Sequence, residues 1–167
     1  MNFKKIERKW QERWMGERIF EAEVDEREKY FCNVPYPYMN GLLHLGRCFT
    51  ILRVDVMARF KRMQGLNVLF PFAFHCTGTP IVAAAQRIKE GEEVQKRILM
   101  DMGIPASEIS KFENPVFWTE YFPREAEIDL KEFGISVDWR RSFITTSLNP
   151  YYNKFIRWQF RKLKEKN

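Results

Sequence analysis

The chain has 167 residues, suited to one domain, of which 45 % are hydrophobic and 16 % aromatic; that is enough for a buried core and argues against intrinsic disorder. Its 28 Lys and Arg against 22 Asp and Glu leave a net charge of +6, which suits a polyanion such as a nucleotide or RNA and equally an ordinary lysine-rich surface. Cys32, Cys48 and Cys76 lie far apart with no C-x-x-C, so neither a zinc ribbon nor a dithiol redox site is indicated. The charged N-terminus lacks the apolar core of a secretory leader, and no run approaches the ~18 apolar residues of a membrane helix. With an odd cysteine count, this predicts a cytoplasmic protein with no membrane partner.

Residues 3 to 15 predict a helix, with Phe3, Ile6, Trp10 and Trp14 recurring at spacings of three and four. Residues 20 to 28 are acidic and polar and read as a surface connection. "KYFCNVP" is a short β-prone run stopped by Pro35, and "PYPYMNG" is a rigid loop. From Leu45 to Met63 the pattern is helical, with Phe49, Leu52, Val56, Phe60 and Met63 in one stripe and Gly65 at its end. "NVLFPFAFH" begins as a second buried strand broken by Pro71. Strand, loop, helix, turn and strand over residues 29 to 70 make a βαβ unit, which implies parallel strands and an α/β fold.

Further on, "TGTPIVAAAQRIKE" predicts a helix with Thr79 as cap, Pro80 in the first position, and Ile81, Ala84, Ala85 and Ile88 facing inward. Residues 92 to 102 predict another, ended near Gly103, and "GIPASEISKFENP" reads as a loop. Residues 115 to 133 are helical in pattern, with Pro123 as a kink or break. "SFITT" suggests a short strand. The last segment predicts a helix capped by Asn149 and opened by Pro150, with Tyr151, Phe155, Trp158 and Leu163 on one face.

Three stretches carry chemistry. Ligands of an open parallel sheet bind beyond the carboxyl ends of its strands, where "PYPYMNG" and "HLGR" fall. There a helix N-terminus favours an anion, Gly46 permits close approach, and His44 and Arg47 offer donors. H-x-G alone arises often by chance, and it serves equally as a tight strand-to-helix turn. The dinucleotide fingerprint G-x-G-x-x-G and the P-loop lysine are both absent from the sequence. In "FPFAFHCTGTP", His75, Thr77 and Thr79 follow a buried strand and would line the same crevice as His44 if the two strands are parallel and adjacent. Capping by the threonines is the plainer reading. No third ligand accompanies the two histidines, so no protein-bound metal is expected. In "DWRRSF", Trp139 reads as core, while Arg140 and Arg141 are open between a loop ion pair with Asp138 and RNA phosphates.

Together, "PYPYMNGLLHLGR", "ILRVDVMARFKRMQGLNVLFPFAFHCTGTPI" and "YFPREAEIDLKEFGISVDWRRSFITT", followed by "NPYY", closely resemble the leucyl-tRNA synthetases of archaeal and eukaryotic type. The resemblance spans nearly the whole chain. Its first motif is similar to the HIGH signature of class I synthetases, and "FAFHCTGTP" resembles the leucine branch. It implies a Rossmann-type parallel sheet with flanking helices, the first half of a class I catalytic domain over residues 1–167, with residues 1–28 as an N-terminal helical extension. It also implies leucine, ATP with Mg2+, and tRNA(Leu) as partners. Carried over by position, His44, Gly46 and Arg47 would bind ATP, with His44 and Arg47 as the catalytic pair. Pro37, Tyr38, Met39, Asn40, Gly41 and His75 would hold leucine and its adenylate.

Two departures stand out. Arg47 occupies the position of the motif's second histidine. The family's second signature, KMSKS, does not occur in these 167 residues. The expectation is therefore a fragment lacking the second catalytic half and the editing and anticodon-binding domains, with the remainder of the synthetase as a further partner. A non-catalytic synthetase-like protein that binds ATP or tRNA is the alternative. A small nucleotidyltransferase with an H-x-G-H motif is the third reading, disfavoured by the long match around "FHCTGTP" and "DWRRSF".

Overall fold

The computed structural model describes residues 2–166. It divides into two compact units. The first comprises the chain up to Tyr36, Leu43–Phe72 and Ala126–Ser142; the second comprises Pro37–Leu42, Ala73–Glu125 and the chain from Phe143.

In the first unit, α1 (Phe3–Gly16) is capped by Asn2, whose side chain accepts from the Lys5 amide. Strand β1 (Lys29–Phe31) leads through the following loop to α2 (Leu45–Met63), and β2 (Asn67–Leu69) returns beside β1. The two strands are parallel, with Tyr30 opposite Val68, so the expected βαβ unit is present. Gly65 follows the end of α2 with φ +88°, the left-handed conformation that terminates helices most cheaply at glycine.

The stripe expected on α2 faces the wrong way for a core. Phe49, Leu52, Val56, Phe60 and Met63 are 38 to 86 % exposed. The buried side carries Ile51, Asp55 and Ala58. Polar bonds explain the inversion. Asp55 accepts from the Ser136 amide at 2.6 Å and from Arg59 Nε at 2.7 Å. Arg59 also donates to the Gly134 carbonyl, and Arg62 donates to the Ser136 hydroxyl and carbonyl. The helix is thus held against residues 134–136 by charge and hydrogen bonding.

Asp138 makes a second fastening. Fully buried, it accepts from the Ala22 amide at 3.1 Å and from Arg140 Nε and Nη2 at 2.9 Å each. Its own amide donates to the Phe70 carbonyl just past β2. Burial alone would raise its carboxyl; the hydrogen bonds from Arg140 and Ala22 outweigh burial and hold it below the usual value. Arg140 also pairs with Glu21 and Glu23. Of the two readings of this arginine, the ion pair is the one the structure contains.

In the second unit, β3 (Ala73–Phe74) pairs in parallel with β4 (Phe143–Ile144). The run "NVLFPFAFH" is therefore two strands with different partners, because Pro71 between them has no amide to donate. Helix α3 (Thr79–Lys89) buries Ile81, Ala84, Ala85 and Ile88, as its spacing predicted. Its cap is Gly78, not Thr79. Helix α4 (Glu93–Asp101) follows, and Gly103 after it has φ +88°. The segment read as a loop contains a 3-10 helix over Ala106–Glu113, which buries Ile109 and Phe112.

Helix α5 (Pro115–Glu132) runs through Pro123 without interruption, and its residues from Ala126 are grouped with the first unit. Trp118, Phe122 and Ala126 on this helix are all essentially buried. Phe112 meets Phe117, Trp118, Tyr121 and Phe122 at ring separations of 4.9 to 5.8 Å. That packing offsets the ~3 kcal/mol a mid-helix proline costs. Helix α6 (Pro150–Lys166) is capped as expected, with Asn149 Oδ1 accepting from the Tyr151 and Tyr152 amides. Its Tyr151, Phe155, Trp158 and Leu163 remain exposed.

Two stability experiments follow from these contacts. Asp138→Ala leaves a buried amide and Arg140 without their acceptor and should cost about 2–3 kcal/mol in urea unfolding. Because the folded carboxyl titrates below its unfolded value of about 4, this stabilisation is full above that pH. It is lost as pH falls through the folded value, so wild type and variant converge in acid. Gly65→Ala meets no neighbouring atom within 4 Å but keeps φ +88°, so it should lose about 1 kcal/mol from backbone strain alone. Gly16→Ala, with open space and no positive φ, should lose nothing.

Candidate functional site

The candidate residues fall into two groups, one in each unit. In the first unit, α2 starts immediately after His44, which has extended backbone (φ −108°, ψ 159°). The His44 carbonyl accepts from the Arg47 amide at 2.9 Å and the Cys48 amide at 3.3 Å, which begins the helix. The imidazole makes no capping bond. The first-turn amides therefore receive no side-chain acceptor from the cap residue, and the positive end of the helix dipole lies beside an exposed imidazole.

Gly46 controls where that ring sits. A Cβ built on it would come within 3.2 Å of His44 Cε1 and Nδ1. The ring thus rests against the glycine, and any side chain there would push it away. Arg47 is half-buried, and burial draws its guanidinium below the usual value. Arginine remains a cation at neutral pH even so.

In the second unit, Tyr38 and His75 form an isolated parallel bridge. The His75 amide donates to the Pro37 carbonyl and the Met39 amide to the His75 carbonyl, both at 2.9 Å. The Tyr38 and His75 rings lie 4.9 Å apart, edge to face at 62°. His75 Nε2 shares a 2.9 Å hydrogen bond with the Thr77 hydroxyl. The Tyr38 hydroxyl donates to the Gly78 carbonyl at 3.3 Å, and burial raises its phenol above the ordinary value.

Gly78 has φ +104° at the start of α3, a conformation essentially reserved for glycine. Pro37, Met39 and Gly41 are buried, and Asn40 is exposed. A Cβ on Gly41 would meet the Met102 methyl at 2.8 Å. Beside these residues lies a cavity of about 430 Å³ lined by Thr77, Gly78, Ile81, Thr119, Thr146 and Leu148. It offers hydroxyls over an apolar floor.

The structure thus brings Pro37, Tyr38, Met39 and His75 together, and separately His44 with Gly46. The expectation of one crevice for His44 and His75 was conditional on the strands before them being parallel neighbours, whereas β1 pairs with β2 and His75 follows β3, which pairs with β4. The two histidines belong to different units. Thr77 turns to His75 instead of capping α3. Gly78 and Met102 were missed: the glycine of "TGTP" was the available signal, whereas nothing in the sequence ties Met102 to Gly41.

Cysteine nucleophiles are disfavoured. Burial pushes the Cys32 thiol up to about 11 and the Cys76 thiol up to about 12. Among the described residues no group of three His, Cys, Asp or Glu is placed to hold a metal, and no helix is long and apolar enough to cross a membrane.

Residues 9–167 match the family described as tRNA synthetases class I (I, L, M and V). The leucine--tRNA ligase of Aeropyrum pernix is 54 % identical over 164 residues, covering 98 % of this chain and 17 % of the relative. That of Methanopyrus kandleri is 50 % identical over 161 residues, covering 96 % of this chain and 17 % of the relative. A probable cytoplasmic leucine--tRNA ligase of Vairimorpha ceranae is 46 % identical over 156 residues, covering 89 % and 17 %. The chain therefore spans about one-sixth of the length of these relatives. Among solved structures, the agnB2 LeuRS of Agrobacterium radiobacter K84, in a ternary complex with tRNA and LeuAMS, superposes with a TM-score of 0.71 at 22 % identity. The superposition covers 93 % of this chain and 17 % of that one, and shows a shared α/β fold. The family match over residues 9–167 and the parallel βαβ unit agree: the chain belongs to the class I tRNA synthetases of the isoleucine, leucine, methionine and valine group.

Proposed function

We propose that the chain is the first part of the catalytic domain of a leucine--tRNA ligase, with residues 1–28 as a helical extension ahead of the nucleotide-binding fold. The identity of 54 % over 98 % of the chain with a leucine--tRNA ligase carries this reading. The reaction is leucine activation in the cytoplasm, followed by transfer to tRNA(Leu). The leucine carboxylate attacks the α-phosphorus of ATP, pyrophosphate leaves, and the tRNA ribose then displaces AMP from the adenylate.

Such a step needs no protein nucleophile. It needs reactants held in line and donors placed where phosphate charge develops. His44 and the α2 amides are assigned to the ATP phosphates, and Gly46 keeps the imidazole in position. Arg47 supplies a permanent charge in the same turn. Pro37, Tyr38, Met39, Asn40, Gly41 and His75 are assigned to leucine and its adenylate. The main-chain hydrogen bonds of His75 with Pro37 and Met39 support a pre-shaped surface. Magnesium would arrive on the phosphates of ATP, the usual mode for this ion in phosphate-binding sites.

A second reading has one observation in its favour. Arg47 stands where the family motif has a histidine, and arginine cannot exchange a proton at neutral pH. A non-catalytic synthetase-like protein that binds ATP or tRNA fits that substitution.

Leucine-dependent ATP–pyrophosphate exchange separates the two. Weak exchange with leucine, absent with isoleucine or valine and raised in Arg47→His, is the expected result. Background exchange in both proteins, with tRNA binding insensitive to leucine and ATP, would establish the second reading instead. The glycine gives an independent check. Gly46→Ala should displace the His44 ring, read as a shift of its imidazole NMR signals, and weaken ATP binding about 10-fold while helix content is unchanged. Unaltered ATP affinity would remove His44 from the phosphate site.

A further inference from the structure

Helix α6 carries an aromatic surface that no core absorbs: none of its described residues is buried. Tyr151, Phe155 and Trp158 follow at spacings of four and three, which places them on one ridge of the helix, and Lys162 and Lys166 extend it. The Phe155 and Trp158 rings lie 5.6 Å apart, and both side chains are more than half exposed. Six Lys and Arg lie on this helix against Glu165 alone. The ridge is therefore aromatic along its first half and basic along its second.

The first unit presents the complementary surface. A groove of about 850 Å³ runs beside α1, α2 and the end of α5. Ile6 and Trp10 of α1 and Leu52 of α2 give it apolar walls that are open to solvent. Glu7, Asp129 and Glu132 line it as well. Among the described residues none of these three carboxylates is in an ion pair. The cation in the wall, Arg59, is committed to Asp55 and the Gly134 carbonyl. Burial and the Glu132 charge raise the Asp129 carboxyl, so a cation brought here relieves a repulsion already present.

We propose that this groove receives α6 of a second copy of the chain, with Tyr151, Phe155 and Trp158 against the Trp10 and Leu52 walls and Lys162 and Lys166 toward the carboxylates. A helix laid by an aromatic face into an apolar groove is a recurrent mode of recognition. Charge complementarity selects the occupant. A polyanion such as RNA, or an anionic lipid surface, would satisfy α6 and be repelled by the groove. An unrelated basic helix would cover the groove and leave the α6 ridge bare. A second copy answers both surfaces at once, and every copy carries both. The contact is heterologous, because two different surfaces meet, so each half can be removed separately.

The test follows molar mass against concentration by light scattering and sedimentation equilibrium. Trp158→Asp removes the helix ridge and Trp10→Asp the groove wall. Both positions are exposed, and circular dichroism verifies that both variants fold. The wild-type mass should rise above 20.2 kDa as concentration increases. Each variant should weaken that association at least about 10-fold, the loss expected for a central interface tryptophan, while Val94→Asp on α4 leaves it unchanged. The decisive arm mixes the two variants. One keeps the groove and the other keeps the helix, so the mixture should associate more tightly than either variant does with itself. Wild type that stays at 20.2 kDa at every concentration overturns the inference. So do variants that associate as wild type does, or a mixture no tighter than its parts. Monomeric wild type that binds phosphatidylglycerol vesicles or RNA, and loses that binding in Trp158→Asp, overturns it too and makes a polyanion the occupant of α6.

Discussion

The fold of the first unit depends on two buried carboxylates. Asp55 and Asp138 lie 83 positions apart, on α2 and after α5, and each ties main-chain amides that no strand or helix satisfies. A buried carboxylate is costly unless its oxygens are fully engaged. Here each has an arginine and an amide as partners, and no buried side-chain polar atom among the described residues lacks a bond. Asp55 sets the seating of α2, and α2 begins at the turn that holds His44, Gly46 and Arg47. The geometry at the candidate phosphate site therefore begins with charges roughly two turns or more away from it.

The same carboxylates explain where sequence reasoning failed. The bounds of α2 were legible, as were the parallel β1–β2 pairing, the Asn149 cap and the buried side of α3, because each rests on a local pattern of spacing or turn chemistry. The orientation of α2 was not. An apolar stripe normally marks the core side of a helix, yet here the side that packs is defined by Asp55 and Arg62, whose partners are distant in sequence. Pro123 was misjudged for a related reason. Its local cost is real, but Trp118 and Phe122 on the same helix are fully buried, and tertiary burial outweighs local propensity.

The candidate site shows the same division. H-x-G and the proline-rich loop could be located from the residues alone, and their surroundings identified the family. What the sequence did not carry was the contact of the His44 ring with Gly46, or the bridge that puts Tyr38 over His75. Both are products of backbone geometry: an extended residue before a helix in one case, two short segments aligned in parallel in the other. Arg47 remains the point where chemistry and family pattern part, and its half-buried position makes it part of the turn and not a surface accident.

The discontinuity of the first unit bears on the order in which the chain acquires structure during synthesis. Its pieces are separated by most of the second unit, and the Asp138 fastening to Ala22 joins residues 116 positions apart. A nascent chain has α1, β1, α2 and β2 in hand long before it has the acceptor that ties them down. By contrast, α3, α4, the 3-10 segment and the start of α5 are contiguous over residues 79 to 125, with short loops to close. Vectorial emergence thus lets the later helices consolidate first. The βαβ unit waits for the distant polar partners of Asp55 and Ala22 until residues 136 to 138 have been synthesised.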